Sequence, residues 1–242
     1  MRKTEELKLE YYFEDMGSCP IKEAFKGIEY PWEALLNKDK VADFTRNQNH
    51  GKVHSTVIMT GNVFIGEGTE IDPYVVIEGP VIIGKNCKIR PFALIRPGTI
   101  IGDDVVVGNG CEVKNAIIFN EAKIQTHVFV GDSIVGKGAR LGSGTIIGNR
   151  RFDQKNAKVV VQGKAFDIGK DKYGGIFGDY VRLGANCETS PGVMVGKYTW
   201  VYGGTSLSGV IAKQKIVKLR QTVEIEDKTA DKLNQTDHEG KV

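Results

Sequence analysis

Two cations occupy equivalent places in the most regular part of the chain. Arg96 is the second residue of IRPGTI, and Lys114 is the second residue of VKNAI three blocks later. A guanidinium and an ammonium projecting from neighbouring layers of one scaffold would hold a phosphate dianion. The competing reading is two solvated surface charges. His127 stands in IQTHVF, and an unperturbed imidazole titrating near pH 6.5 can accept an amine proton close to neutrality. His50, His54 and His238 lie outside any motif. Of the four cysteines, Cys87, Cys111 and Cys187 share one phase of the sequence period and Cys19 does not. No CxxC spacing occurs, so the thiols read as small buried side chains in a reduced, cytoplasmic setting.

These residues need a scaffold that repeats them in space, and the sequence supplies one. From Ile65 the chain reads IGEGTE, IDPYVV, IEGPVI, IGKNCK, IRPFAL, IRPGTI, IGDDVV, VGNGCE, with VHSTVI and MTGNVF ahead of it in phase. The first position is aliphatic, the second is often Gly, and the fifth is small or β-branched. A hexapeptide period with alternation inside it marks a parallel β-helix. The first residue of each hexad points inward and stacks on its counterpart in the next coil. A single coil cannot bury its inner face, so stacking supplies the core. About seven coils are expected, with Ile65, Ile71, Ile77, Ile83, Ile89, Ile95, Ile101 and Val107 all inward. Phe92, Leu94, Val106 and Ile117 fall outside the inward phase, and an apolar outer face of this kind marks an interface. The period does not give handedness, because parallel crossovers are right-handed by default.

The 242 residues suffice for a repeat domain with appended segments. With 40% hydrophobic and 26% charged residues the composition is that of a soluble globular protein. A net charge of +3 gives little support for nucleic-acid binding and leaves room for a local anion site. The charged start MRKTEELKLEYYFEDMG lacks the apolar core of a signal peptide, and no apolar run is long enough for a transmembrane helix. No nucleic-acid or membrane partner is therefore expected.

Residues 1–52 do not follow the hexad and read as a helical or irregular segment whose aromatics pack on the first coils. Residues 53–207 are the β-helix. Its register slips at VKNAI and VGDSI, which have five residues each, and such shortened corners re-aim side chains. A polar, basic loop insertion spans 149–175, with a hairpin expected from KVVVQG to KAFDIG; long excursions from a regular scaffold are usually functional or disordered. The hexads return from Phe177 to Ser206. Residues 208–242 form a C-terminal arm and a polar tail, the last part of which, DKTADKLNQTDHEGKV, reads as disordered.

IRPFALIRPGTIIGDDVVVGNGCEVKNAII (89–118) and KIQTHVFVGDSIVGKGARLGSGTIIGN (123–149) resemble the acetyltransferase half of bifunctional N-acetylglucosamine-1-phosphate uridyltransferases. NRRFD (149–153) with GGIFGDYVRLGANCETSPGVMVG (174–196) is most similar to the archaeal-type sugar-1-phosphate nucleotidylyltransferase/acetyltransferases. The resemblance implies an all-β, left-handed β-helix that assembles as a homotrimer with active sites between subunits. It implies acetyl transfer from acetyl-CoA, as co-substrate, to an amino-sugar phosphate or nucleotide-linked amino sugar, with no metal. The nucleotidylyltransferase half opens with a Gly-rich GxGTR loop, which residues 1–50 lack, so a separate nucleotidylyltransferase is a possible partner.

Carried over residue by residue, the resemblance makes Arg96, Lys114, Asn149 and Lys155 substrate-binding. It makes Ser143, Ala185 and Gly203 contacts of the coenzyme. The family base falls on Thr126, with His127 one place late, and the family Tyr is Phe129. A one-residue shift along a strand turns a side chain to the other face. The resemblance therefore leaves two readings: a hexapeptide acyltransferase with His127 as catalytic base, or a non-catalytic oligomerising and ligand-binding module. A third, a carbonic-anhydrase-like metalloprotein, needs three interfacial His, and three of the four here lie far from the coil centre.

Overall fold

The computed structural model describes residues 4–225; the polar tail expected beyond Asp227, and His238 within it, lie outside the described residues. Three parallel sheets form the walls of a left-handed β-helix of about nine turns. The first wall has nine strands, from Gln48–Asn49 to Val210–Ile211. The second has nine, from Lys52–Val53 to Ile216–Val217, and the third has eight, from Ile58–Thr60 to Ser206–Leu207. The coil count exceeds the seven expected. The extra turns are built from QN, VI and IV at the two ends, where the backbone ladder continues although the hexad has faded.

Stacking is in register. Ile71 lies over Ile89 and Ile65 over Ile83, eighteen residues on. All eight inward residues named above are 2% exposed or less, each contributing about 1.5–3 kcal/mol by burial. Cys87, Cys111 and Cys187 are buried at the fifth hexad position, and all four cysteines are free. Burial pushes the Cys19 thiol up to about 12 and the Cys87 thiol up to about 11.

The outer face of the first wall is covered by the chain itself. Ile100, Ile117, Phe119, Ile134, Ile176 and Met194 form a second core with Tyr12, Phe13, Phe25 and Trp32 of the N-terminal segment. Phe13 stacks on Phe119 at 4.9 Å between ring centroids, and Phe25 meets Phe119 edge-on at 5.8 Å. Ile117 therefore does not belong to a free outer face: it is 0% exposed, sealed by its own N-terminal segment. Phe92 remains outside at 62% exposure, and Leu94 and Val106 are half-buried.

The N-terminal segment consists of short 3-10 turns and one α-helix, α1 (Glu33–Val41). Glu33 Oε2 accepts from the backbone N–H of Glu29 and Tyr30, which closes the start of α1. Lys38 and Lys40 in the last turn complement its dipole. The loop insertion carries the antiparallel hairpin Lys158–Val161 with Lys164–Asp167, whose Val159 and Val161 join the second core.

Candidate functional site

The irregularities of the middle coils fall on one edge, where the third wall turns into the first. Two successive coils lose a residue there: Val113 pairs with Val130, and Ile118 with Val135, seventeen residues apart instead of eighteen. The loop insertion leaves from this edge after Ile147 and returns at Gly175. The shortened corners put Asn115 (φ 47°) and Asp132 (φ 50°) in the left-handed region that Gly98 (φ 76°) and Gly192 (φ 85°) occupy on other coils. Asn and Asp tolerate that conformation better than other residues with a Cβ. Their side chains are thereby set facing one another.

Asp132, 3% exposed, is the hub. Asn115 Nδ2 donates to its Oδ1 and Asn149 Nδ2 to its Oδ2, both at 2.6 Å. Lys114 Nζ lies 3.8 Å from Oδ2. The Phe129 ring and the Asn149 amide both close on Gly131, where a Cβ would lie 2.7 Å from each. On α1, Lys38 is wholly buried, its ammonium bonded to Asp39 and beside Gly98. Its pKa is lowered chiefly by burial, against the pull of Asp39 and Asp132. A cleft of about 220 Å³ opens here, lined by Leu35 and Asp39 of α1, by Asn115 and Asp132, and by Lys170 and Lys172 of the insertion.

The expected substrate residues are only partly brought together. Lys114 and Asn149 meet at Asp132. Arg96, one coil below Lys114, folds back on the third wall: its Nη1 donates to Glu112 Oε1 at 2.8 Å, and its Nε lies 3.7 Å from Glu78. Lys155 is exposed on the insertion, its backbone N–H donating to Asp153 Oδ1. Asp153 grips Arg151 through two bonds of 2.8 and 2.6 Å, and that guanidinium holds the Asp153 carboxyl well below the usual range. A second, open cleft of about 730 Å³ lies beside it, lined by Arg150, Phe152, Glu188, Ser190 and Pro191.

The expected coenzyme residues stack on the opposite edge of the third wall. Backbone N–H groups of His127, Gly144, Asn186 and Gly204 donate in succession to Asn109, Thr126, Ser143 and Ala185. Thr126, Ser143, Ala185 and Gly203 thus form one row up the corner, the last three exposed. His127 sits beside that row, exposed, at φ 56°, with its ring over Gly110. The structure does not join it to Lys114. The strand Phe129–Gly131, about 10 Å at ~3.3 Å per residue, separates them.

Asp132, Asn115 and Lys38 were not singled out by sequence. The signal available was the shared form of VKNAI and VGDSI, five residues with Asn or Asp at the third place. Among the described residues no cluster of three His, Cys, Asp or Glu could hold a metal ion.

The sequence pattern of the GMPPB C-terminal domain matches residues 77–217, more than half of the chain. The chain belongs to the GMPPB C-terminal domain family. This GMPPB C-terminal-type chain is 38% identical over 178 residues to a bifunctional sugar-1-phosphate nucleotidylyltransferase/acetyltransferase of Sulfurisphaera tokodaii, covering 73% of this chain and 44% of that protein. It is 40% identical over 197 residues to the bifunctional protein GlmU of Methanococcus maripaludis, covering 81% and 48%. The chain spans about half the length of the curated relatives it matches. A solved UDP-N-acetylglucosamine acyltransferase from Campylobacter jejuni is 18% identical with a TM-score of 0.37, covering 66% of this chain and 68% of that one.

Proposed function

We propose that this protein is a hexapeptide-repeat acyltransferase that moves an acetyl group from acetyl-CoA to the amine of an amino-sugar phosphate or nucleotide-linked amino sugar. The observation that carries this reading is the convergence of Lys114, Asn149 and the buried Asp132 on the edge where two successive coils are shortened and the insertion leaves. A cation, a neutral amide and a carboxylate held at fixed places suit a phosphorylated sugar, with Lys114 and Arg96 toward the phosphate and Asn149 toward the ring hydroxyls. Lys155 closes over the sugar from the insertion.

Acetyl-CoA runs along the row of Ser143, Ala185 and Gly203, where short side chains let the pantetheine approach the backbone. The amine nitrogen attacks the thioester carbonyl, and the collapsing intermediate expels the coenzyme thiolate. The ammonium proton passes to a base, for which His127 is the candidate beside that row. In the trimer that the resemblance implies, the row of one copy faces the Asp132 cluster of the next. A relative named for both nucleotidylyltransferase and acetyltransferase activities, of which this chain covers 44%, supports the reading.

One observation favours the alternative of a non-catalytic module. Arg96 and Lys114 already have carboxylate partners, and Phe129 lacks the hydroxyl of the family Tyr. Thiol release from acetyl-CoA against a panel of amino-sugar phosphates separates the two. Transfer to one of them, reduced about 10²-fold or more in His127→Ala with acetyl-CoA binding retained, supports the enzyme. Absence of release with every amino sugar favours the module.

A further inference from the structure

The outer face of the second wall carries a charge pattern that coil packing does not explain. Its outward residues on three successive coils are Lys123, Arg140 and Arg182, in direct register, with Trp200 next above Arg182. Like charges directly opposite on neighbouring strands are destabilising, and a surface built only to solvate the coil would alternate signs, as Glu70 and Lys88 do lower on this face. Among the described residues neither Arg140 nor Arg182 has a carboxylate partner; Arg140 donates only to Gln125 Oε1 at 3.3 Å.

The acids of the neighbouring corner share the hollow with these arginines without pairing to them, and Asp179 higher up is buried, its carboxylate taken by the backbone N–H groups of Glu14 and Lys137. Asp104 and Glu121 flank the coils of Val106 and Lys123, and Glu121 is already within 3.5 Å of Lys137. Beside Arg140 the corner holds Gly138, and beside Arg182 and Trp200 it holds Tyr180 and Tyr198, which stack on each other at 5.2 Å and 9°. Lys123, Arg140, Arg182 and Tyr180 line a surface hollow of about 400 Å³, with Asp104 and Glu121 at its lower end. Trp200, one coil above Arg182, is 51% exposed, and Gly142 and Gly184 follow the strands of Arg140 and Arg182 with no side chain.

We infer that this face binds a nucleoside diphosphate, its phosphates on Arg140 and Arg182 and its base stacked on Trp200. Two guanidinium forks one coil apart fit the adjacent phosphates of a diphosphate. The exposed indole offers the apolar plane a base needs, at a stacking strength of about 1–3 kcal/mol. A mononucleotide spans one arginine and the indole, a diphosphate both arginines and the indole. The site stands whether or not the chain transfers an acyl group, since no acyl chemistry enters the argument. The nucleoside diphosphate can be the adenosine end of a coenzyme or the nucleotide end of an activated sugar.

The two tryptophans make the test specific, because Trp32 is 2% exposed under the N-terminal segment and only Trp200 is open to a ligand. Titration of the full chain with ADP, UDP and coenzyme A, followed by tryptophan fluorescence, should show saturable quenching by at least one of them. The apparent affinity should fall tenfold or more in Arg140→Ala/Arg182→Ala, while adenosine and uridine without phosphates quench weakly. Trp200→Phe should abolish the signal, with calorimetric binding retained but weakened. ADP and coenzyme A binding with UDP excluded assigns the coenzyme as source; UDP binding with ADP excluded assigns the activated sugar. Absence of quenching by all three up to millimolar concentration overturns the inference, as does an affinity unchanged in the double variant.

Discussion

Asp132 takes the backbone conformation of a glycine and the burial of a hydrophobic residue, and three polar side chains converge on it. Replacing it with Ala leaves the Asn115 and Asn149 amides without their acceptor and Lys114 without its counter-charge. A loss of about 2–4 kcal/mol is expected, read as a lower denaturant midpoint. Asp132→Gly, which relieves the left-handed backbone but removes the same bonds, should recover only part of it. A midpoint equal to that of the parent in Asp132→Ala would deny the cluster any role in holding the edge. The thiols give a prediction in pH. Cys19 and Cys87 are raised by burial to about 12 and about 11 from 9.0. Below pH 9 both are protonated folded and unfolded, so their contribution is fully present. Above pH 9 the unfolded chain ionises first, and that contribution is lost progressively as pH rises toward 11–12. Thermal stability should fall across that window, less steeply in Cys87→Ala, whereas parallel curves would place the loss elsewhere. At this scale Arg96 and Lys114 were legible because the hexad counts positions. Asp132 was not, because a polar residue at a corner reads as ordinary turn chemistry.

The N-terminal segment and the insertion are one structural layer. Both lay apolar side chains on the first wall, and α1 reaches the Asp132 edge with the buried Lys38. Phe119 joins the layers, stacked on Phe13 and met edge-on by Phe25. Phe119→Ala should destabilise the protein by about 3–5 kcal/mol, and limited proteolysis should then cut residues 4–47 before the coils. Cleavage no faster than in the parent would mean that the segment is held elsewhere. The hairpin and the coil strands could be read from the sequence, since alternation and period were both strong. The covering of Ile117 could not. The hexad says only that its side chain points outward, and whether outward means solvent, a partner or the chain's own N-terminus is decided by residues a hundred positions away.

At the scale of the molecule the β-helix has two kinds of outer surface left. The second wall is charged, and the third wall and its corner carry apolar groups, among them Ile58, Ile146 and the stacked pair Tyr74 and Phe92 at 59%, 49%, 57% and 62% exposure. An exposed apolar face of this extent marks an interface, and light scattering at micromolar concentration should give three copies; a stable monomer would remove the facing of row and cluster on which the acyl-transfer reading depends. Most of the coils were foreshadowed by the phased hexads, three to a coil, while the ends were lost where the hexad faded but the backbone ladder ran on. The most direct measurement is a crystal structure with coenzyme A and an amino-sugar phosphate bound together. The account predicts the pantetheine along Thr126, Ser143, Ala185 and Gly203 of one copy, and the phosphate on Lys114 beside Asp132 and Asn149, with the amine between them. A phosphate bound away from Lys114, or a coenzyme on any other edge of the coil, would contradict it.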